Sequence, residues 1–265
     1  MTIRSLTIAY FSPTGTTRTV LQGIARGLGR SPRQVDITPQ EARLSRLELG
    51  LDEILDIGVP VYMGRVPDLL KDWLHALTLH GTPTVCVVVY GNRAYENALL
   101  ELRDLISEQG GIPVAGAAFI GEHSFSSPEL PASVGRPNAN DLGQAEELGR
   151  NIAKQLDRIG FLDPHRTLSV PGVLPFGGVT KLWDVDFIEI GEGCTQCGTC
   201  AEHCPVGAID ITNVTSIDIV KCITCCACIK HCPTRSRRKK PGPVMDASRR
   251  IHTVHSKPKL PEFFF

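Results

Sequence analysis

Two runs of cysteine with the same spacing are the part of the chain best suited to chemistry. Each run reads C-x2-C-x2-C-x3-C-P, and the ligand candidates are Cys194, Cys197, Cys200 and Cys204 in the first run and Cys222, Cys225, Cys228 and Cys232 in the second. Three closely spaced thiolates can each ligate a different iron of one cubane, while the fourth, after the wider step, points to the other cubane. The spacing therefore predicts two [4Fe-4S] clusters.

The wider last step also predicts that the two clusters exchange their fourth ligands. One cluster is expected on Cys194, Cys197, Cys200 and Cys232, and the other on Cys222, Cys225, Cys228 and Cys204. A pair of four-thiolate zinc sites is the alternative, because C-x2-C pairs also bind zinc. Zinc has no use for the third closely spaced cysteine or for the proline that follows each run, so the spacing favours clusters.

Four neighbouring or isolated residues are interpreted as non-ligands. Taking Cys226 as a ligand would change the steps to x3 and x1. Cys86 lies in an apolar run, where a free cysteine packs as a small hydrophobe. His203 and His231 each precede a fourth ligand by one residue, and we interpret them as hydrogen-bonding neighbours of the clusters.

The distribution of cysteine divides the chain. Its 265 residues have room for one medium domain and a small one, and nine of the ten cysteines follow residue 193. We expect an α/β domain over 1–162, a Pro/Gly-rich linker over 163–183, a two-cluster domain over 184–236 and a basic tail over 237–265. Within the two-cluster domain we expect a strand pair formed by residues 187–190 and 208–211, with no comparable strand in the second half.

Charge and hydropathy exclude several function classes. The formal net charge is zero, and no apolar run reaches the roughly 18 residues of a membrane-spanning helix. The first residues show no signal-peptide pattern, so we expect a reducing, cytoplasmic setting. The basic run over 235–240 has no aromatics among its residues, which disfavours nucleic-acid binding and favours docking to an acidic surface.

Strand and helix patterns alternate through the first 160 residues, which predicts a parallel α/β sheet. The expected strands are residues 6–11, 34–38, 54–61, 84–90 and 112–120. Helices are expected from Thr16, Pro67 and Tyr95, and a last helix capped by Asp141 is expected to end near Gly160. Five strands alternating with helices fit a doubly wound sheet of order 2-1-3-4-5.

A loop of hydroxyls and one glycine joins the first strand to the first helix, with the sequence Ser12-Pro-Thr14-Gly15-Thr16-Thr17. Backbone N–H groups and the positive end of the helix would face an anion here, and the hydroxyls add donors. The loop has no lysine, so it is not a nucleoside-triphosphate loop, and the missing G-x-G-x-x-G disfavours a nicotinamide site.

The pattern Ser12-x-Thr14-Gly15-x-Thr17 resembles the loop by which flavodoxins hold the phosphate of FMN. The resemblance continues in the loops after the third, fourth and fifth strands, and the whole chain is similar to single-chain flavodoxin–ferredoxin fusions of anaerobes. It implies a noncovalent FMN contacted by Ser12, Thr14, Gly15, Thr16, Thr17, Tyr62, Met63, Gly64, Arg65, Tyr90, Gly91, Asn92, Arg93, Tyr95, Ser124 and Phe125.

Three function classes follow from these features, and no residue set indicates a catalytic dyad or triad. An electron carrier between the two clusters and FMN is favoured. The alternatives are a flavin-dependent reductase, with polar candidates Arg65, Arg93, Glu122 and His123, and a redox sensor without turnover. A carrier is expected to leave the flavin edge exposed, whereas a reductase is expected to have a roofed pocket.

The expected partner is a redox protein, and the chain is expected to be a monomer or a homodimer. We expect the basic tail to dock an acidic surface or to clasp another subunit. The chain without residues 235–265 is then expected to bind all three cofactors, but with slower cluster-to-flavin transfer or a lower oligomeric state. Its end, Pro261-Glu-Phe-Phe-Phe265, is expected to leave phenylalanines exposed unless another subunit covers them.

Overall fold

The computed structural model describes residues 3–158, 162–163, 165–177 and 184–265. The strands are β1 (Ser5–Tyr10), β2 (Arg33–Asp36), β3 (Glu48–Leu49), β4 (Glu53–Pro60), β5 (Thr78–Leu79), β6 (Pro83–Tyr90), β7 (Ile112–Ile120), β8 (Ile188–Ile190), β9 (Arg237–Lys239) and β10 (Glu262–Phe264). The helices are α1 (Thr16–Leu28), α2 (Lys71–His75), α3 (Ala98–Glu108), α4 (Ala139–Arg158), α5 (Thr199–Glu202), α6 (Ala227–Lys230) and α7 (Pro243–Val254). The expected helix end near Gly160 and part of the expected linker lie outside the described residues.

Five parallel strands form the centre of the main sheet, in the spatial order β2-β1-β4-β6-β7. Counted along the chain, these five follow the order 2-1-3-4-5. Helices α1 and α4 contribute to the core on one face of the sheet, and α2 and α3 contribute to the core on the other. Because both faces are covered, β6 and β7 are buried along their whole length, as the apolar runs predict.

Two predicted helical segments differ in the structure. The segment after Pro67 forms a 3-10 turn over Asp68–Leu70 and then the short α2, instead of one long helix. At the start of α4, the Asn138 side chain accepts from the backbone N–H of Asp141 at 3.1 Å, and the Asp141 carboxylate accepts from the Asn138 N–H at 2.8 Å. Asn138 is therefore the cap, and Asp141 completes a reciprocal capping box.

The strand pairing in the cysteine-rich part differs from the expectation. β8 pairs in antiparallel fashion with β9, whereas Ile209 forms an isolated bridge with Ile217. β9 has no apolar pattern in the sequence, because Arg237 and Lys239 are the residues it buries. Each of the two cations reaches a backbone carbonyl, of Val214 and Phe125 respectively, which makes the burial possible.

The last residues are not a peripheral tail. α7 packs Val244, Ala247 and Ile251 into the core of the cysteine-rich part. β10 then pairs in antiparallel fashion with β7 at the edge of the main sheet. The ring of Phe263 lies 5.6 Å from that of Phe119, so this end of the chain is packed against its own main sheet and not left as an exposed apolar segment.

The described part of the linker lies along the α/β domain. Arg103 on α3 donates to the carbonyl of Leu168 at 2.8 Å, and the Val173 N–H donates to the Asn97 side chain at 2.8 Å. Leu168 itself is buried. Among the described residues, no helix is both long enough and apolar enough to cross a membrane.

Candidate cofactor sites

A cavity of about 510 Å³ opens at the carboxyl end of the parallel strands. This is where doubly wound sheets bind their ligands, and the volume lies within the range of cofactor clefts. We call it the loop pocket, because loops after β1, β4, β6 and β7 line it. Of the residues expected to contact FMN, it is lined by Ser12, Thr14, Thr16, Thr17, Tyr62, Met63, Gly64, Tyr90, Gly91, Arg93, Ser124 and Phe125.

The hydroxyl loop at one side of the loop pocket is built for an anion. Gly15 immediately precedes α1 and has a φ of 85°, a backbone conformation that a residue with a Cβ rarely adopts. The Ser12 hydroxyl accepts from the Arg18 N–H at 3.1 Å, which holds the turn closed. Thr17 Oγ1 is buried and has no hydrogen-bond partner among the described residues. A phosphate would supply the acceptor that this hydroxyl lacks.

Two of the residues expected at the flavin instead hold the C-terminal segment. Asn92 donates to the carbonyls of His255 and Lys257 at 2.7 and 2.9 Å. The Tyr95 hydroxyl donates to Glu262 at 2.8 Å, and its ring packs against Tyr90. Neither residue is among those that line the loop pocket, and the returning chain takes hydrogen bonds from both.

Arg65 and Gly15 also do not line the loop pocket. Arg65 forms a two-pronged ion pair with Glu101 at 2.7 and 2.8 Å, with both side chains largely buried. Glu101 also accepts from the Val66 N–H at 2.9 Å, so this pair fixes the loop after β4. Gly15 contributes the turn that positions its hydroxyl-bearing neighbours.

Six residues that close the loop pocket from the cysteine-rich part and the helix after it were not predicted to do so from the sequence. These are Thr224, Cys225, Ala247, Arg250, Ile251 and His255. They lie more than 100 residues from the hydroxyl loop, and no local pattern marks them. The tandem cysteine runs placed Cys225 at a cluster, but nothing in the spacing placed it against the α/β domain.

His123 lines the loop pocket as a neutral imidazole. Its Nδ1 accepts from the backbone N–H of Phe125 at 3.0 Å. Burial, with the nearby charges of Lys239, Lys230 and Arg93, lowers the pKa of His123 to about 4. Nε2 therefore carries the ring proton at neutral pH, and the side chain offers a donor rather than a positive charge.

Four cysteines surround a small apolar cavity next to the loop pocket, and we call them the inner cysteine group. They are Cys204, Cys222, Cys225 and Cys228. The fourth cysteine of the first run thus meets the first three of the second, which is the combination expected for one of the clusters. Cys225 lines both this cavity and the loop pocket, so the two cavities share this residue.

The remaining four cysteines of the two runs form the outer cysteine group, comprising Cys194, Cys197, Cys200 and Cys232. The ladder between β8 and β9 is extended by a hydrogen bond from the Gly191 N–H to the Ser236 carbonyl, which brings the chain before Cys194 beside the chain after Cys232. Two inner cysteines, Cys225 and Cys228, are buried, and so is Cys200 of the outer group, but only the outer group has an exposed member, Cys197. The two groups therefore differ in their access to solvent.

The two cysteine runs share their backbone conformation. Gln196 and Thr224 occupy equivalent positions with φ of 54° and 56°, and Gly198 and Cys226 are equivalent with φ of 82° and 59°. Cys226 therefore takes the left-handed position at the start of α6 that glycine takes at the start of α5. Its side chain lies in the inner cavity, and its position matches a glycine of the first run and not a predicted ligand.

Arg237 lies near cysteines of both groups. Burial raises the pKa of Cys200 and, to about 12, that of Cys228, and in each case the Arg237 guanidinium opposes the rise. One terminal nitrogen donates to the Val214 carbonyl, and the other, Nη1, is buried without a partner among the described residues. A cluster with its net negative charge would supply the missing acceptor.

A single metal ion is a poorer fit to the cysteines. Within the described ranges, no three His, Cys, Asp or Glu side chains converge closely enough to hold one ion. A cubane makes a different demand, because each thiolate ligates its own iron.

Four contacts dock the cysteine-rich part onto the α/β domain. Arg43 donates to the Pro205 carbonyl at 2.6 Å, and His231 contacts the Pro13 carbonyl, in the hydroxyl loop, at 2.9 Å. Lys230 forms an ion pair with Glu122 and also donates to the Ser126 carbonyl at 3.0 Å. The loop pocket is therefore completed within one chain.

Comparison with protein families agrees with this division of the chain. Residues 187–238 match the model of the 4Fe-4S dicluster domain. The cysteine-rich part is an iron–sulfur domain. No match was found among curated proteins.

Solved structures similar to the chain cover its α/β domain. A flavodoxin from the domain Archaea is 16% identical, covers 58% of this chain and 100% of its own, and gives a TM-score of 0.40. Flavodoxin 2 from Bacillus cereus is 16% identical over 57% of this chain and 99% of its own, with a TM-score of 0.40. An NADH:FMN oxidoreductase, EmoB, is 15% identical over 59% and 91%, with a TM-score of 0.40. These likenesses are too distant to transfer a ligand or an activity to this chain.

Proposed function

We propose that this chain is an electron-transfer protein in which FMN occupies the loop pocket and [4Fe-4S] clusters occupy the inner and outer cysteine groups. The observation that carries the proposal is the position of Cys225, which lines both the inner cavity and the loop pocket. When bound, the clusters supply one electron at a time, and the flavin holds one or two. No other part of the chain needs to move to bring the two sites together.

The residues have distinct tasks in this proposal. The N-terminus of α1 and the hydroxyls of Thr14, Thr16 and Thr17 hold the phosphate. The loops after β4 and β6 enclose the ring, with Tyr62 and Tyr90 as their aromatic members. Burial is the main cause that raises the pKa of Tyr62, and the nearby Cys225 and Cys226 add to it. The Tyr62 hydroxyl therefore stays protonated beside the inner cysteine group.

The outer group is the proposed contact for an external one-electron partner, because Cys197 is exposed. The inner group is then the link between the outer group and the flavin. A reducing, low-oxygen compartment suits this arrangement, since a cluster with an exposed ligand is open to oxidants. We propose that the chain needs no second copy to complete its cofactor sites.

Composition tests the proposal. Protein purified without oxygen should contain about eight irons and eight acid-labile sulfides per chain, as two cubanes require. Denaturation should release FMN, identified by chromatography against FAD. Zinc without sulfide would remove the clusters from the proposal, and FAD or no flavin after reconstitution would remove FMN.

A flavin-dependent reductase is the second candidate, and the covering of the loop pocket favours it. α7 contributes Ala247, Arg250 and Ile251 to the wall, so the pocket is more enclosed than a carrier requires. Turnover tests this candidate: a reductase oxidises its reduced flavin only with particular small acceptors, whereas a carrier reacts with many artificial ones.

A further inference from the structure

Thr224 and Gln196 occupy equivalent positions in the two cysteine runs but differ in their exposure to solvent. Thr224 and Gln196 have the same left-handed backbone and precede equivalent cysteines. Gln196 is exposed, whereas Thr224 is 2% exposed. The repeated backbone therefore does not require burial, and the environment of Thr224 is specific to the second run.

The Thr224 hydroxyl lacks a partner inside the protein. Oγ1 is buried and makes no hydrogen bond within the described ranges. A β-branched residue is also an unfavourable choice for a left-handed position, where glycine or asparagine costs less. A buried, unpaired hydroxyl destabilises the fold unless a ligand pairs with it.

The Thr224 side chain borders the loop pocket. Thr224 lines it together with Tyr62 and the loops of the α/β domain. Thr17, at the hydroxyl loop, is the other buried, unpartnered hydroxyl on the same wall. The pocket thus presents one such hydroxyl from each domain.

We propose that Thr224 forms a hydrogen bond to the bound flavin, so that the cluster-binding loop supplies part of the flavin site. This inference rests on the proposed function, because it takes FMN as the occupant of the loop pocket. Thr224 immediately precedes Cys225 in the chain. In this proposal, the residue that bonds to the flavin is therefore the direct neighbour of a cysteine of the inner group. The outer group has exposed Gln196 at the same place and makes no such contact.

The test compares FMN binding by anaerobic, cluster-loaded variants, measured by quenching of flavin fluorescence. Thr224→Ser and Thr224→Ala both lack the methyl group and differ only in the hydroxyl. Thr224→Ala should bind FMN about five- to tenfold more weakly than Thr224→Ser, as expected for one lost hydrogen bond. Gln196→Ala is the matched control in the other run, and its affinity for FMN should equal that of the unaltered chain.

A second variant keeps the test independent of folding. Thr224→Gly removes the hydroxyl and suits the left-handed backbone, so it should also bind FMN more weakly than Thr224→Ser while keeping its iron. Equal FMN affinity in the serine, alanine and glycine variants would overturn the role of Thr224 and leave the proposed function intact. An unaltered chain that binds no FMN would instead overturn both.

Discussion

At the residue scale, three of the buried polar atoms without partners among the described residues lie at the candidate sites. Thr17 and Thr224, with their Oγ1 atoms, line the loop pocket, and Arg237, with Nη1, lies near Cys200 and Cys228. Each is a donor that a native fold pairs with an acceptor. Each therefore makes a separate prediction about a cofactor.

Thr17→Ala should weaken FMN binding. The change removes one hydrogen bond to a charged phosphate, worth about 1.5–3 kcal/mol, so affinity should fall by roughly tenfold or more. Thr19→Ala is the matched control, because the Thr19 hydroxyl donates to the Gly15 carbonyl of its own helix at 2.9 Å and does not line the pocket. Equal losses in both variants would indicate a general weakening of α1 instead of a phosphate contact.

Arg237→Gln should lower the reduction potentials of both clusters. A buried positive charge stabilises the reduced, more negative cluster, and each loss of about 1.4 kcal/mol corresponds to about 59 mV for a one-electron couple. Arg238→Gln is the control, since Arg238 pairs with Glu189 on the surface. A redox titration in which the two variants behave alike would contradict the inward role of Arg237.

Asp56 makes a prediction about stability and pH. It is buried in β4 with both carboxylate oxygens unpartnered among the described residues, and burial raises its pKa well above the usual value. The folded state therefore binds a proton that the unfolded state releases above about pH 4, so this group lowers stability as pH rises towards its folded pKa. Asp56→Asn should unfold at a higher temperature than the unaltered chain at pH 8, and the difference should shrink at pH 4.

The control for that measurement is Asp52→Asn, because Asp52 is partly exposed beside Arg4. Thermal melts of the three proteins at both pH values give the comparison. A stability gain in Asp56→Asn that does not depend on pH would show that Asp56 is not held protonated.

At the element scale, hydrophobic patterning predicted the main sheet and missed the way the chain returns to it. β1, β4, β6 and β7 are apolar runs, and Ile112–Ile120 was predicted to the residue. β9 and β10 carry no such signal: one buries cations that reach carbonyls, and the other is three residues at the end of the chain. Both depend on partners distant in sequence, which local patterns cannot represent.

The dependence on partners distant in sequence also explains which site residues could be predicted and which could not. The hydroxyl loop and the cysteine spacing are local, so the sequence indicated both. Asn92 and Tyr95 were assigned to the flavin because their loop faces it, but the C-terminal segment takes their hydrogen bonds. Arg250 and Thr224 reach the loop pocket only through the docking of the two parts.

Removing residues 256–265 should destabilise the protein. The truncation removes β10, the Phe263 contact and the partners of Tyr95, and loss of apolar burial alone should cost about 2 kcal/mol or more. Removing Phe265 alone is the control, because that residue is exposed. Chemical denaturation measures both, and equal stability of the two truncated proteins would show that β10 contributes nothing. The longer deletion from residue 235 should no longer bind all three cofactors, in contrast to the expectation from sequence.

At the scale of the whole molecule, the proposed function makes cluster-to-flavin electron transfer an event within one chain, because the two parts are docked. Arg43, Lys230 and His231 hold the iron–sulfur domain against the α/β domain, and Cys225 lies on the shared wall. The basic residues expected to clasp a partner are partly turned inward, with Arg237 and Lys239 buried. The geometry therefore requires no second subunit between cluster and flavin.

The rate of cluster-to-flavin electron transfer tests this account most directly. The oxidised, fully loaded protein would be mixed anaerobically with less than one equivalent of a one-electron donor, and cluster and flavin absorbance followed by stopped flow. We predict that electrons arriving at the clusters pass to the flavin with a rate constant that does not change over a tenfold range of protein concentration. A rate constant that rises in proportion to protein concentration, or a flavin that stays oxidised while the clusters are reduced, would contradict the account.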